Sequence, residues 1–469
     1  MKTILAIQNS YLILSSEDEE LLEGVYDALS FKDSSKAYTY GGRFDPDRIA
    51  TVRFSKFVEG LDLPSLKIPI GFLDFIESVL SDYEHSVIDA RKPIQEIEIE
   101  QIENLEGIEL RDHQLGAIYK ALSHHRGIIK SPTGSGKTEI FLAILNMLEE
   151  PSLVLFNRQQ LCQQTVERAI NRGLDVGIVQ GKNILEKDVT MATIQSIHKI
   201  ESLRKYKNLI LDEVHNVAAK QYQKILKLKQ WKRVYGFSAT PVNPKKMDLK
   251  SAKIIANIGS VICDVGAKDL MDKGLIAKPR IFMVPVNMPD NIDDFSYREA
   301  EQAGIVHNKH RNKLIANLAE EHRGDGVLIL NKYVDQGKEI QKLIPDAPFI
   351  WNEIPVKERI QVVNKFDRGE TEILIASRIL DEGIDIKNFK VLIIASAGLS
   401  FIKTIQRLGR GLRVTDDKKD ISVYDFMDNT NYKLLKHSKA RMRTYKMFGY
   451  DDIVQIKETD NAFIRLRVS

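Results

Sequence analysis

The stretch that most constrains this chain is Gly127–Glu139, read GIIKSPTGSGKTE. Gly127-Ile128-Ile129 predicts the end of a buried strand, and Ile140 to Leu145 predicts a helix. Between them lies a glycine-rich loop, Ser131-Pro132-Thr133-Gly134-Ser135-Gly136-Lys137-Thr138. Strand, glycine loop and helix start are the parts of a phosphate-binding loop. Gly134 and Gly136 let the backbone wrap so that its N–H groups face an anion. The helix N-terminus adds its dipole. Lys137 can reach the β- and γ-phosphates of a nucleotide, and the Thr138 hydroxyl can hold Mg²⁺. Ser131 stands where such loops usually carry Gly or Ala; a hydroxymethyl is small enough to be tolerated.

At 469 residues the chain is too long for one core and predicts two to four domains. Net charge is only +3, from 68 Lys and Arg against 65 Asp and Glu, so any basic surface must be local. Cys162 and Cys263 lie far apart, which disfavours a disulfide framework or a zinc cluster and fits a reducing cytosol. The start, MKTILAIQNSYLIL, is interrupted by Gln8-Asn9-Ser10 and reads as a strand rather than a signal peptide. No apolar run reaches membrane-spanning length.

Residues 1–93 are expected to form a small α+β domain. Ile4–Leu14 reads as a strand, and Ser16-Glu17-Asp18-Glu19 as a capping box opening a helix with Leu21, Leu22, Val25, Tyr26 and Leu29 on one face. Arg48–Phe57 reads as one alternating strand, Pro69–Tyr83 as a second helix and Ser86–Ala90 as a short strand. The acidic stretch Glu96–Glu106 reads as a linker. From Gly107 strands and helices alternate, which predicts parallel α/β sheets. The fold class expected is α/β, with two tandem parallel-sheet domains, 94–277 and 278–430, behind the α+β domain. A basic segment, 431–469, follows; its Tyr432–Tyr450 stretch reads either as a phosphate-binding helix or as a solvated helix packed on the second domain.

Leu209-Ile210-Leu211-Asp212-Glu213-Val214-His215 is the second anchor. An apolar strand delivers two carboxylates at its end. Asp212 would hold Mg²⁺, directly or through water, and Glu213 would orient and deprotonate an attacking water, a division suited to phosphoanhydride hydrolysis. His215 could relay nucleotide state onward.

These elements resemble superfamily 2 helicases of the DExH type. Ser131–Thr138 matches motif I, Asp212-Glu213-Val214-His215 motif II, and Ser238-Ala239-Thr240 the Ser-Ala-Thr of motif III. Gln406-Arg407-Leu408-Gly409-Arg410-Gly411-Leu412-Arg413 matches motif VI, and Leu110-Arg111-Asp112-His113-Gln114 an upstream Leu-Arg-x-x-Gln element. The resemblance covers about Glu109 to Phe426 and implies RecA-like domains, ATP and Mg²⁺. It implies that Gln114 contacts adenine, Arg111 supports the site, and His215, Ser238 and Thr240 couple hydrolysis to movement. Arg410 and Arg413, with Gln406, would meet the γ-phosphate across the cleft as arginine fingers. Ile375–Asp385 looks like motif V, with Ser377 and Arg378 toward nucleic acid and Gly383 and Asp385 toward nucleotide. Further backbone contacts are expected from Arg158, from Thr193 and Gln195, and from Lys332. Pro132, Thr133, Gly134, Ser135 and Gly136 would line the phosphates.

The expected activity is that of an ATP-dependent DNA helicase or translocase. Compact size and the small domain in front resemble phage UvsW-like branch-migration helicases, and Asp-Glu-Val-His resembles the XPB-like branch. That implies single-stranded and branched duplex DNA as partners, action as a monomer with possible replication or recombination protein partners, no membrane, and a cytoplasmic site, the host cytoplasm for a phage protein. The alternatives are a DExH RNA helicase, a double-strand translocase that never separates strands, and a nucleotide-dependent clamp, the last disfavoured by the complete hydrolytic set.

Overall fold

The computed structural model describes residues 2–34, 37, 45–94, 97–217, 219–228, 231–242, 247–286, 292–377, 386, 388–396 and 420–456. Two compact units emerge: Met1–Ser131 with Gly136–Val265, and Gly266–Ser469 with the four residues Pro132–Ser135.

In the first unit, the front domain holds β1 (Thr3–Ile7), β2 (Tyr11–Ser16), β3 (Ser30–Asp33), β4 (Ala50–Arg53), β5 (Lys56–Val58), β6 (Ser65–Pro69) and β7 (Ser86–Asp89). Its main sheet runs β5-β6-β2-β1-β7, and β3 pairs with β4 separately. Buried and half-buried residues alternate along β1 and β2, as expected of a sheet with one covered face. Three local expectations need correction. Ile4–Leu14 is a hairpin, turning at Gln8-Asn9-Ser10, where Gln8 N–H donates to the Tyr11 carbonyl at 3.0 Å; alternation on both arms hides the turn. The N-cap of helix Glu19–Ala28 is Asp18, whose carboxylate accepts from Leu21 N–H, and not a box at Ser16. Arg48–Phe57 is two strands in two sheets. Between them the Phe54 ring turns into the core, edge-on to Phe31 and Phe72 at 5.7 and 5.5 Å, and the chain crosses with it.

The first α/β domain comprises β8 (Arg126–Lys130), β9 (Ser152–Phe156), β10 (Val176–Gln180), β11 (Asn183–Leu185), β12 (Val189–Thr193), β13 (Asn208–Asp212), β14 (Arg233–Ser238) and β15 (Val261–Asp264), in the order β11-β10-β12-β9-β13-β14-β8-β15. Every pairing is parallel except the β10–β11 hairpin. All five residues of β9 and of β13 are buried, which is why they read as continuous apolar runs. The acidic stretch is no free linker: Ile102 and Leu105 join this domain's core. The front domain shares a core with helix Leu249–Ile258 through Ala252 and Ala256. Approach there is close enough that a Cβ on Gly71 would lie 1.8 Å from the Ile255 carbonyl oxygen.

The second unit holds β16 (Lys278–Val286), β17 (Val327–Asn331), β18 (Phe349–Ile350), β19 (Ile373–Ser377), β20 (Val391–Ile394), β21 (Asp420–Asp428) and β22 (Ile453–Gln455), in the order β18-β19-β17-β20-β21-β16-β22, parallel throughout. The basic helix, Tyr432–Met447, packs on β21 through Arg441, which is 3 % exposed. Its guanidinium donates to both Asp425 oxygens at 2.9 and 3.0 Å and to the Phe426 carbonyl at 2.9 Å, and Tyr445 donates to Asp425 at 2.7 Å. Arg311, also buried, pairs with Asp428 and donates to the Ala395 carbonyl at 2.8 Å. Removing one partner of a buried pair strands a charge. Arg441→Met is therefore expected to destabilise this unit by about 3–5 kcal/mol, and Arg441→Met with Asp425→Leu to recover much of it. Urea denaturation of the full chain checks this; a single variant as stable as the parent would contradict it.

Candidate functional site

The order β13-β14-β8 brings three sequence motifs side by side at the C-terminal ends of their strands, where open parallel sheets bind ligands. Leaving β8, Ser131 is fully buried and its N–H donates to the Ser238 carbonyl at 3.1 Å, so the loop's first residue is stitched to the end of β14. That burial is why a small residue is needed at this position. Gly134 and Gly136 have φ of +90° and +84°, in the left-handed region that favours glycine. A Cβ on Gly136 would sit 2.2 Å from the Gln114 side-chain nitrogen, leaving no room for one. Gly136 caps helix Lys137–Met147, and the Lys137 ammonium donates to the Ser131 carbonyl at 3.1 Å, folding the side chain back over the loop.

β13 ends on Asp212, which is 8 % exposed. Burial and then the Glu213 charge push its carboxyl up to about 7, against the pull of Lys137. Glu213, at φ +52°, is the one non-glycine residue with positive φ among the described residues. Such strain is held in place where a side chain must be aimed. Its N–H donates to Asp212 at 3.0 Å, and its carboxylate lies 3.2 Å from His215 Nδ1 and accepts from Ser238 Oγ at 3.4 Å. His215 Nδ1 is 3.3 Å from Ser238 Oγ, which accepts from the Thr240 N–H at 3.2 Å. Glu213, His215, Ser238 and Thr240 are thus one connected network beside the loop.

The donor set fits Mg²⁺–ATP. The loop offers backbone N–H groups, a helix N-terminus and Lys137 for phosphates, with Thr138 and Asp212 as oxygen ligands. A dication would also relieve two adjacent carboxylates, one of them buried.

Other predicted residues are placed less directly. Gln114 is buried, and its side-chain oxygen accepts from Arg111 N–H at 2.9 Å, capping helix Asp112–Leu122; Arg111 itself is exposed. Thr193 is fully buried and its hydroxyl donates to Ser196 at 3.0 Å, which turns it away from solvent. Gln195 is exposed and donates to the Asn157 carbonyl at 3.4 Å. Arg158 precedes helix Gln159–Ile170, and its Nη1 is buried with no hydrogen-bond partner among the described residues. Lys332 pairs with Glu301 at 2.7 Å, and Ser377 is buried at the end of β19. Arg378, Gly383, Asp385, Gln406, Arg410 and Arg413 lie outside the described residues. Sequence reasoning missed the buried Arg311–Asp428 pair, because nothing local to either residue announces the other.

Residues 107–243 match the family described as type III restriction enzyme, res subunit, and residues 309–415 match the helicase conserved C-terminal domain. The chain is similar to the DNA 3'-5' translocase XPB2 of Sulfurisphaera tokodaii, 27% identical over 384 residues, 70% of this chain and 86% of that one. It is similar to the DNA 3'-5' helicase XPB of Kineococcus radiotolerans, 26% identical over 373 residues, 74% of this chain and 66% of that one. It spans only 52% and 59% of the Rad25 relatives of Haloarcula marismortui and Halobacterium salinarum. Among solved structures, the type ISP restriction-modification enzyme LlaBIII shares the fold, with TM-score 0.56 at 15% identity, over 82% of this chain and 34% of that one. T4 UvsW aligns over 97% of this chain and 99% of its own, at 20% identity and TM-score 0.45, a likeness too loose to carry an argument.

Proposed function

We propose, for a chain that is a superfamily 2 helicase and nucleic-acid-dependent ATPase, that its substrate is DNA, which it translocates upon to remodel branched structures such as forks and four-way junctions. The observation that carries the motor reading is the network from Asp212 and Glu213 through His215 to Ser238 and Thr240, set beside the Lys137 loop. It links the groups that would act on the phosphates to β14 by hydrogen bonds alone. Lys137 neutralises charge on the phosphates, and Glu213 orients and deprotonates the attacking water. Mg²⁺, held by Thr138 and Asp212, supplies charge neutralisation when bound. His215 and Ser238 read the position of the Glu213 carboxylate and pass it to Thr240. By resemblance, Arg410 and Arg413 complete the set as arginine fingers. DNA as substrate, and movement in the 3'-5' direction, are supported by the XPB relatives. The branched-DNA preference rests on the small front domain and on the sequence resemblance to branch-migration helicases.

Strand displacement is expected to require ATP and to run faster on forked and four-way DNA than on blunt duplex or matched RNA. Equal rates on blunt and four-way DNA would remove the branched-substrate reading. Faster unwinding of RNA would replace it with the RNA-helicase alternative.

A further inference from the structure

At the other end of β8 from the phosphate loop, the front domain and the first α/β domain enclose a cleft of about 700 Å³. Arg126 opens β8 and Lys130 closes it, so the two sites stand about 13 Å apart along the strand. Six cations line the cleft: Arg53, Lys56 and Lys67 from the front domain, and Arg126, Lys227 and Lys253 from the α/β domain. No carboxylate lines it among the described residues. None of the six forms an ion pair among the described residues, although cations elsewhere in this unit do, as in Lys130–Asp264, Arg172–Glu139 and Lys232–Glu150. In a chain of net charge +3, six uncompensated cations facing one space is a strong local asymmetry.

Arg126 is the most telling of them. Its guanidinium bridges the seam, donating to the Asn9 carbonyl at 2.8 Å on one side and to the Asn257 carbonyl at 3.2 Å on the other. Both partners are neutral. A smaller cleft that Arg126 also borders holds Asp74 and Glu77, and neither forms an ion pair with Arg126 among the described residues. Burial, with Arg91 nearby, pushes the guanidinium down to about 9. Arg126 is half-buried with only neutral carbonyl partners, and an anion in the cleft would supply the counter-charge it lacks. The Lys67 ammonium lies 3.8 Å from the centre of the Tyr11 ring, so a cation–π contact holds its charge against the cleft wall.

We propose that this seam is a second nucleic-acid site, which binds the phosphodiester backbone of a duplex arm apart from the strand engaged by the motor. Charges divided three and three between two walls suit successive phosphates of a backbone. Among the described residues the lining has no carboxylate of the kind that holds a ribose, which argues against a mononucleotide. Backbone contacts of this sort position DNA without reading its sequence. The proposal rests on the DNA reading above and adds where a second arm is held.

The test is equilibrium binding of the full chain to a fluorescent four-way DNA junction across several salt concentrations, without nucleotide. Lys56→Gln, Lys67→Gln and Lys253→Gln are combined in one variant. Each lost phosphate contact should flatten the slope of log affinity against log salt by about 0.9, so the triple variant should be less steep by roughly two to three. ATPase stimulated by a short single strand should stay within about twofold of the parent. Lys227→Gln with Lys253→Gln, both on the α/β-domain wall, should flatten the slope by about two and serves if the triple variant folds poorly. An unchanged slope and junction affinity in folded variants overturns the proposal. So does competition by inorganic tripolyphosphate that disappears in the variants while their junction binding stays intact, which would make the seam a small-anion site. If the parent itself neither binds DNA nor is stimulated by it, the underlying DNA reading has failed instead.

Discussion

Replacing Lys137 with alanine abolishes ATP turnover and weakens ATP binding. Lys137 is the side-chain cation that the loop itself carries, and its ammonium already sits over the loop on the Ser131 carbonyl. Phosphoryl transfer depends on positioning and on charge stabilisation, so removing this cation acts on both ground state and transition state. Loss of one preorganised donor at a developing charge typically costs about 10²–10³ in rate, and a full positive charge at the phosphates should cost at least that. The fold should survive, because Lys137 is half-buried at a helix start and fills no core. Steady-state ATPase with saturating DNA, and titration with a fluorescent ATP analogue, read the two effects separately. Turnover within tenfold of the parent would remove the phosphate-loop assignment.

Glu213→Gln separates binding from chemistry. The substitution keeps shape and hydrogen-bonding capacity but removes the proton acceptor, and a general base typically contributes about 10²–10⁴ in rate. Glutamine also removes the adjacent charge that, after burial, pushes Asp212 up, so the metal ligand beside it should be no worse. Hydrolysis is expected to fall by that factor while ATP stays bound, trapping an ATP-bound complex on DNA. Hydrolysis within a few-fold of the parent would reassign the base.

How far these residues could be read in advance depends on range. The loop at Ser131–Thr138 and the strand before Asp212 are legible because strand, turn and helix follow each other within a few residues. Buried parallel strands such as β13 and β17 announce themselves as unbroken apolar runs. The break at Phe54 is not legible, since a ring turning toward Phe31 and Phe72 decides it, and those partners are distant in sequence. The basic helix shows the same limit from the other side. Its charge pattern admits both a phosphate-binding and a packed reading, and only Asp425, 16 residues upstream of Arg441, shows that Arg441 points inward. The Arg126 seam joins Asn9, Arg126 and Asn257 across more than a hundred residues, beyond any periodicity or motif. Gln114 and Thr193 show that a motif places a residue correctly without fixing where its side chain points.

The central claim is that ATP hydrolysis at the Lys137 loop is driven by DNA. The most direct measurement is steady-state ATPase of the full chain with no nucleic acid, with single-stranded, duplex, forked and four-way DNA, and with matched RNA. The account predicts low basal turnover, strong stimulation by DNA that is greatest with the branched forms, weaker stimulation by RNA, and no stimulation of Glu213→Gln by any of them. Turnover that no nucleic acid changes, or that RNA raises more than every DNA, would contradict it.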